Sequence, residues 1–400
     1  MALQIPVGSA DYRTLARQRL PRFLFDYIDG GANDELTLAA NTLDFHSLRL
    51  CQRVLHDVTQ LDTSSQLFGR PLSMPLALAP LGMAGLYRRR GEVQAALAAE
   101  ACGVPFALSS VGICPVQEIH AATTSPCWFQ LYMLRDRGAV QAMLQQAWQL
   151  GCETLLFTVD LAVAGVRRRD TRNGMQAADR RGQLLRAWQL LQRPGWLLDV
   201  GLQGRPHRFG NLPQQVADPA NLQAVRTWLD EQFDPGVTWQ DIEWLRRQWP
   251  GQLVIKGVLE VDDALQAVAC GADGIVLSNH GGRQLDSVPS TIRQLPAVAT
   301  ALNGRVPLLL DGGVRSGIDV FKALALGAQA VLIGRPWAWA LAAEGQRGVE
   351  ALLRSLHEEL RVAMALCGVS ALQDIGPHLL QPQSGITQLK VVEQLLKIGP

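Results

Sequence analysis

The sequence predicts a (β/α)8 barrel with an N-terminal helical cap and one long insertion after its fourth strand. Two observations carry that prediction. Short β-rich apolar runs begin near positions 75, 104, 127, 154, 252, 273, 306 and 329, most followed by a helical pattern. The runs are apolar nearly throughout rather than alternating, as strands are when helices cover both faces of a parallel sheet. Eight such units fit a barrel better than an open doubly wound sheet. No GxGxxG follows the first run, which weakens the dinucleotide-binding alternative.

The elements follow in order. "DYRTLARQRL" and "RFLFDYIDGG" give the first seventy residues a helical character, so 1–70 reads as a cap. The strands are "PLALAP", "VPFALSS", "CWFQLY", "TLLFTVD", "QLVIKG", "DGIVLSN", "VPLLLD" and "QAVLIGR". Helices such as "GEVQAALAAEACG", "RGAVQAMLQQAWQLGC", "VDDALQAVACGA" and "GIDVFKALALGA" separate them, several ending near glycine as helix C-termini prefer. The step from 154 to 252 is out of scale with the other strand spacings and marks an insertion of roughly seventy residues, about 167–237. A single domain over 1–400 results, with barrel and insertion in 71–370 and a tail in 371–400.

Composition narrows the function. A hydrophobic share of 48% with 18% charged residues describes a globular chain, and a net charge of +1 argues against general nucleic-acid binding. Seven scattered cysteines without a CxxC pair read as reduced thiols of a cytosolic compartment, with no zinc or other metal site. The opening residues lack the uninterrupted apolar core and the cleavage site expected of a signal peptide, and every apolar stretch breaks before the ~18 residues that suggest a membrane span.

In a barrel the site lies where the strands end, so the polar residues there are informative. They are Pro80 to Gly82, Ser109, Gln130 with Tyr132, Thr158 with Asp160, Lys256, Ser278 with His280 and Arg283, Asp311 with Arg315, and Gly334 with Arg335. A turn explains any one of them, but not a polar group at the end of all eight strands. "DGGVRSG" and "IGRP" follow strands seven and eight, where glycines such as Gly313 and Gly334 let backbone N–H groups approach a phosphate while Arg315 and Arg335 add charge. Lys256, in the apolar run "LVIKG", reads either as a Schiff-base lysine or as a cation beside an electron-rich ring. In "SNHGGRQLD", His280 reads as a base and Arg283 as the anchor for a substrate carboxylate; the plain alternative is a turn with a packed histidine.

"SNHGGRQLD", "DGGVRSGIDVFKALALGA", "IGRP", "WFQLY", "TVD" and "SMPLALAP" together resemble the FMN-dependent 2-hydroxy-acid dehydrogenase and oxidase family over nearly the whole chain. The resemblance implies FMN across the barrel mouth, its phosphate on Asp311–Arg315 and Gly334–Arg335 and Lys256 at the N1–O2 edge of the ring. It implies that Gln130, Thr158, Ser109, Ser278 and the backbone of Pro80, Leu81 and Gly82 hydrogen-bond the ring. His280 is then the catalytic base with Asp160 as its partner, and Arg283, Arg167, Tyr27 and Tyr132 bind the substrate. Whether the base takes the hydroxyl proton or the α-proton stays open.

Within the family, "RFLFDYIDGGA", "WFQLYMLRDRG", "WLLDVGLQGRPH" and "FDPGVTWQDIEWLR" are similar to the respiratory, quinone-linked L-lactate dehydrogenases of bacteria, with mandelate dehydrogenases next. Gly82 matches a position that is commonly alanine in the oxidases, and Val111 and Ala164 match pocket positions whose small size suits a short acid such as L-lactate but leaves room for a larger one. Arg167 to Arg208 holds ten arginines against three aspartates, with no lysine or glutamate, a net +7. With the leucines and tryptophans of "LLRAWQLLQRPGWLLDVGL", that suits a segment, about 177–208, lying on an anionic membrane; a solvated basic loop is the alternative. The resemblance thus implies electron transfer to a membrane quinone, a peripheral place on the cytoplasmic side of the inner membrane and a homotetramer. A soluble oxidase making hydrogen peroxide, a flavin barrel isomerising a phosphorylated substrate and a silent flavin-binding protein are the competing readings.

Overall fold

The structure is a computed structural model and describes residues 5–175, 179–212 and 231–381. Parts of the expected insertion (176–178 and 213–230), the first four residues and the tail from 382 lie outside the described residues.

A two-stranded hairpin, β1 (Ser65–Leu67) and β2 (Arg70–Leu72), precedes eight parallel strands. These are β3 (Leu76–Leu78), β4 (Ala107–Ser109), β5 (Trp128–Leu131), β6 (Thr154–Thr158), β7 (Gln252–Val258), β8 (Gly274–Leu277), β9 (Leu308–Leu310) and β10 (Ala330–Ile333). Each starts within a few residues of its expected run. Their order is sequential from β4 to β10, and β3 joins β10. A single parallel bridge between Leu78 and Phe106, with the Leu78 N–H donating to Pro105 O at 2.8 Å, closes the barrel.

The apolar runs divide with period two, as strand geometry requires. Ala77, Ala107, Trp128, Leu156, Val254, Val276, Leu309 and Leu332 fill the barrel interior. Leu78, Phe129, Leu155, Ile255, Ile275 and Leu310 belong to the outer core shared with the helices. The hairpin supplies Leu67, Leu72 and Phe68 to the interior cluster, Phe68 meeting the Trp128 ring edge-on at 5.9 Å. Trp128 and Gly274 are first residues of their strands, and a side chain on Gly274 would strike Phe68, so the hairpin plugs the N-terminal end of the barrel. The opposite end is left for a ligand.

Helices Gly91–Ala101, Arg137–Gln149, Val261–Ala269 and Gly317–Ala325 occupy the expected runs, each ending shortly before its glycine. The cap consists of helices Ser9–Arg19, Arg22–Asp29 and Leu36–Ser47. After β6 come the short helix Arg168–Arg172, the helix Arg180–Leu191 and, before β7, Trp239–Gln248. The insertion is pinned to the body: Trp196 Nε1 donates to Leu86 O at 2.8 Å, and Asn211 accepts the Val116 N–H at 2.7 Å. Among the described residues no helix is long and apolar enough to cross a membrane.

Candidate active site

Loops at the C-terminal end of the barrel enclose a cavity of about 270 Å³. His280 stands at one corner, just after β8, at a φ of +55°. A non-glycine residue in that region costs energy and persists only where its surroundings impose it. The Ser278 hydroxyl accepts the His280 N–H at 3.1 Å, and His280 Nδ1 lies 2.7 Å from Asp160 Oδ1. The carboxylate fixes the proton on Nδ1 and leaves Nε2 as the basic nitrogen. Burial, then the nearby Lys256 and Arg167 cations, push the imidazole below its ordinary range, outweighing Asp160, which pulls it up. Burial pushes the Asp160 carboxyl upward, yet His280 and Lys256 bring it below the usual carboxylate value. The pair is a neutral base beside a permanent anion.

Two guanidiniums share the same wall. Arg283 Nη1 donates to the carbonyls of Tyr27 at 2.5 Å and Gly30 at 3.2 Å, where the helix Arg22–Asp29 ends, and its guanidinium sits 4.8 Å from the Tyr27 ring centre. Arg167 approaches the same ring at 5.7 Å. Burial and then repulsion from Arg283 lower the Arg167 pKa, a strain that an anion between them relieves. Burial, aided by Asp160 and Tyr27, raises the Tyr132 hydroxyl above the usual tyrosine range, so it remains a neutral donor.

Deeper in the mouth, Lys256 Nζ lies 2.8 Å from Asp311 Oδ2 and donates to Ser278 Oγ at 2.9 Å. Burial works against the ammonium, but Asp311 and Asp160 raise its pKa above the ordinary lysine value, so it stays charged. Ser109 Oγ donates to Gln130 Oε1 at 2.7 Å and Gln130 Nε2 donates to Thr158 Oγ1 at 3.1 Å, a chain across three neighbouring strands. Tyr87 donates to Gly82 O at 2.9 Å and fixes the loop Pro80–Gly82.

The two arginines expected at a phosphate are engaged differently. The Arg315 N–H donates to Asp319, while its guanidinium lies 5.3 Å from the Trp339 ring centre, and burial lowers its pKa to about 10. Arg335 spends its side chain on the carbonyls of Ile28, Gly281 and Gly30 at 3.0, 2.9 and 2.8 Å. Its contribution toward an anion is therefore the N-terminus of the helix Arg335–Glu344. Gly313, at a φ of +99°, has no room for a side chain: a Cβ would lie 1.9 Å from Asn41 O.

Most sequence-selected residues line this one cavity: Tyr27, Pro80, Leu81, Gly82, Tyr132, Thr158, Arg167, Lys256, His280, Arg283, Asp311, Gly313, Arg315, Gly334 and Arg335. Ser109, Gln130, Ser278 and Asp160 do not line it but bond to residues that do, directly or through one another. Sequence reasoning missed Tyr87, and Met175, Phe209 and Phe233 from the insertion, which also line the cavity. No periodic pattern marked the insertion residues, because they lie outside any strand repeat.

The model of the FMN-dependent dehydrogenase family matches residues 16–382. The chain is 51% identical over 373 residues to an L-lactate dehydrogenase of Alcaligenes faecalis, covering 93% of this chain and 98% of that protein. Among solved structures, it is similar to the monotopic membrane protein (S)-mandelate dehydrogenase, with a TM-score of 0.88 and 34% identity, over 95% of this chain and all of that one. It is also similar to a mandelate oxidase solved with (S)-4-hydroxymandelic acid, with a TM-score of 0.81 and 37% identity over 94% of this chain and 98% of that one. The chain belongs to the FMN-dependent dehydrogenase family.

Proposed function

We propose that this cavity oxidises a short L-2-hydroxy acid, L-lactate, to its 2-oxo acid, pyruvate. FMN, the family's cofactor, supplies a two-electron acceptor when bound. The residues present fit it. Asp311 Oδ1 is buried without a partner at the cavity, an acceptor suited to a ribityl hydroxyl. Arg315 and the N-terminus of Arg335–Glu344 would hold the phosphate, and the Lys256 ammonium would meet the electron-rich ring.

The observation that carries the reading is the His280–Asp160 contact of 2.7 Å beside the Arg167–Arg283 pair. The arginines bind the substrate carboxylate and orient the α-carbon, while Tyr27 and Tyr132 offer hydroxyls to its oxygens. Oxidation removes two electrons and two protons; His280 Nε2 takes one proton, from the hydroxyl if the α-hydrogen leaves as hydride, from the α-carbon otherwise. Asp160 then faces an imidazolium and stabilises it. Val111 and Ala164 border the cavity and are small, which suits a short acid and leaves room for a larger one, so the choice of lactate rests on the Alcaligenes relative's name. Anaerobic mixing of the purified flavoprotein with L-lactate, L-mandelate and glycolate tests this. Lactate should bleach the flavin fastest, and no bleaching by any of them sinks the proposal. Rapid peroxide formation without added acceptor would favour an oxidase, the activity in the name of one structural relative.

The surface of the insertion supports a membrane quinone as the electron acceptor. Leu184, Trp188 and Leu191 of helix Arg180–Leu191 are 71, 61 and 68% exposed, and Leu198 and Leu202 further along the insertion are exposed as well. The same stretch carries Arg180, Arg181, Arg186 and Arg193. Residues 177 and 178 of the expected segment lie outside the described residues. This face supports peripheral binding to an anionic bilayer and delivery of electrons to a quinone there. Trp188→Ser with Leu191→Ser should release the protein from anionic vesicles in a sedimentation assay without slowing flavin reduction by lactate.

A further inference from the structure

The four groups assigned to chemistry come from two loops that the barrel does not join. Asp160 and Arg167 follow β6, whereas His280 and Arg283 follow β8, and β7 runs between those strands. No ladder hydrogen bond can set one loop against the other, yet the His280–Asp160 contact needs them in register within a few tenths of an ångström.

A glutamine side chain outside the cavity spans the gap. Gln284, next to Arg283, donates through Nε2 to Asp160 O at 2.8 Å and to Val163 O at 3.0 Å. Its Oε1 accepts from the Gly165 N–H at 3.3 Å and, more weakly, from Arg167 Nη2 at 3.5 Å. A carboxamide offers two donors and two acceptor positions, and here the same loop takes all four. The backbones press together at that point: a Cβ on Gly165 would lie 2.4 Å from Arg283 O and 2.7 Å from Gln284 O. Arg167 Nε reaches back to Arg283 O at 3.4 Å. Gln284 itself does not line the cavity, so it acts through its neighbours.

We propose that Gln284 is a positioning residue that locks the Asp160–Arg167 loop to the His280–Arg283 loop, setting both the base–carboxylate contact and the spacing of the two arginines. The inference rests on the roles given above to those four residues. Neither close substitute reproduces it: a methionine bonds to none of the four partners, and a glutamate carboxylate keeps the two acceptor contacts but sets an oxygen against the Asp160 and Val163 carbonyls in place of both donations.

The test uses Gln284→Met and Gln284→Glu in the FMN-loaded protein, with anaerobic flavin reduction by L-lactate as the readout. Gln284→Met should keep its FMN but reduce flavin about 10- to 100-fold more slowly, with a raised KM, as small misplacements of catalytic groups do. Its kcat/KM should also retain activity to lower pH than the wild type. Among the strongest influences on His280, Asp160 supports its protonation against burial, Lys256 and Arg167, so a displaced Asp160 lowers the imidazole pKa further. Gln284→Glu decides the matter if the methionine variant does not hold FMN: the rate at saturating lactate should fall while KM stays near the wild-type value, because Gly165 and Arg167 keep their acceptor. A wild-type reduction rate in either variant overturns the proposal, as does a slowed methionine variant whose acid limb has not moved. His280→Gln separates the two levels of inference. If it reduces flavin normally the reading of the site fails, whereas its loss together with a normal Gln284→Met removes only the role of Gln284.

Discussion

Two buried pairs of a basic side chain with a carboxylate stand interleaved at the barrel mouth, and they behave in opposite ways. Asp160 follows β6, Lys256 lies on β7, His280 follows β8 and Asp311 follows β9, so each pair reaches over one strand of the other. The contacts are 2.7 Å for His280–Asp160 and 2.8 Å for Lys256–Asp311, and each carboxylate keeps one buried oxygen without a partner. Burial opposes the cation in both. Lysine begins far above neutrality and, held by Asp311 and Asp160, remains charged. Histidine begins near neutrality, and burial together with Lys256 and Arg167 outweighs its own aspartate. The same arrangement yields a fixed charge in one place and a proton acceptor in the other. The fixed charge helps keep the acceptor neutral.

The sharpest way to break that contrast is His280→Gln, which leaves the Lys256 pair intact but removes the acceptor. Flavin reduction by L-lactate should fall about 10³- to 10⁴-fold, near the upper reach of general-base catalysis, with FMN still bound. Stopped-flow absorbance of the bleaching flavin measures it, and a loss below tenfold refutes the assignment. Lys256→Met attacks the other pair. It leaves Asp311 buried without its cation, a loss of about 3–5 kcal/mol for a broken buried pair. Thermal unfolding should occur at markedly lower temperature and FMN should be released during purification; a wild-type melting point with full FMN content excludes the structural part of the claim.

The contrast also shows what was readable in the sequence. The eight strands were, because a strand covered on both faces is apolar at every position and needs no partner to be recognised. The strand-end polar residues were legible as a set for the same reason. The layering was not: Ser109, Gln130 and Ser278 share the inward phase of Thr158, each two residues past an interior position, yet Thr158 lines the cavity and they do not, a difference of depth that the alternation along a strand does not encode. Arg335 shows a second limit. Its backbone position was legible from "IGRP", whereas its side chain is consumed by carbonyls of Ile28 and Gly30, on a cap helix whose docking no local pattern encodes. The hairpin plug escaped notice because its strands bury only Leu67 and Leu72 and so lack the continuous apolar run that marks the equally short β3, β4 and β9. Asp286, in the "HGGRQLD" run itself, accepts the N–H groups of Asp34, Leu36 and Thr37 and so starts a cap helix rather than touching a ligand.

The smallest effect expected comes from Asp160→Asn, and its sign is the more telling part. The amide still accepts from His280 Nδ1–H, so the tautomer and the ring position survive, but the charge that meets the developing imidazolium is gone. The rate should fall about 10²-fold, the low end of what acid–base partners contribute. The wild-type acid limb of kcat/KM should already lie below the ordinary imidazole value, because burial, Lys256 and Arg167 lower the His280 pKa. Protonated His280 is inactive, so a lower pKa means activity that persists into more acidic buffer. Asp160 opposes this lowering, and its neutralisation should carry the limb further down while the maximal rate drops. A limb that moves upward would mean that the group titrating is not His280. A limb that stays put would mean that Asp160 orients the ring without acting on its charge.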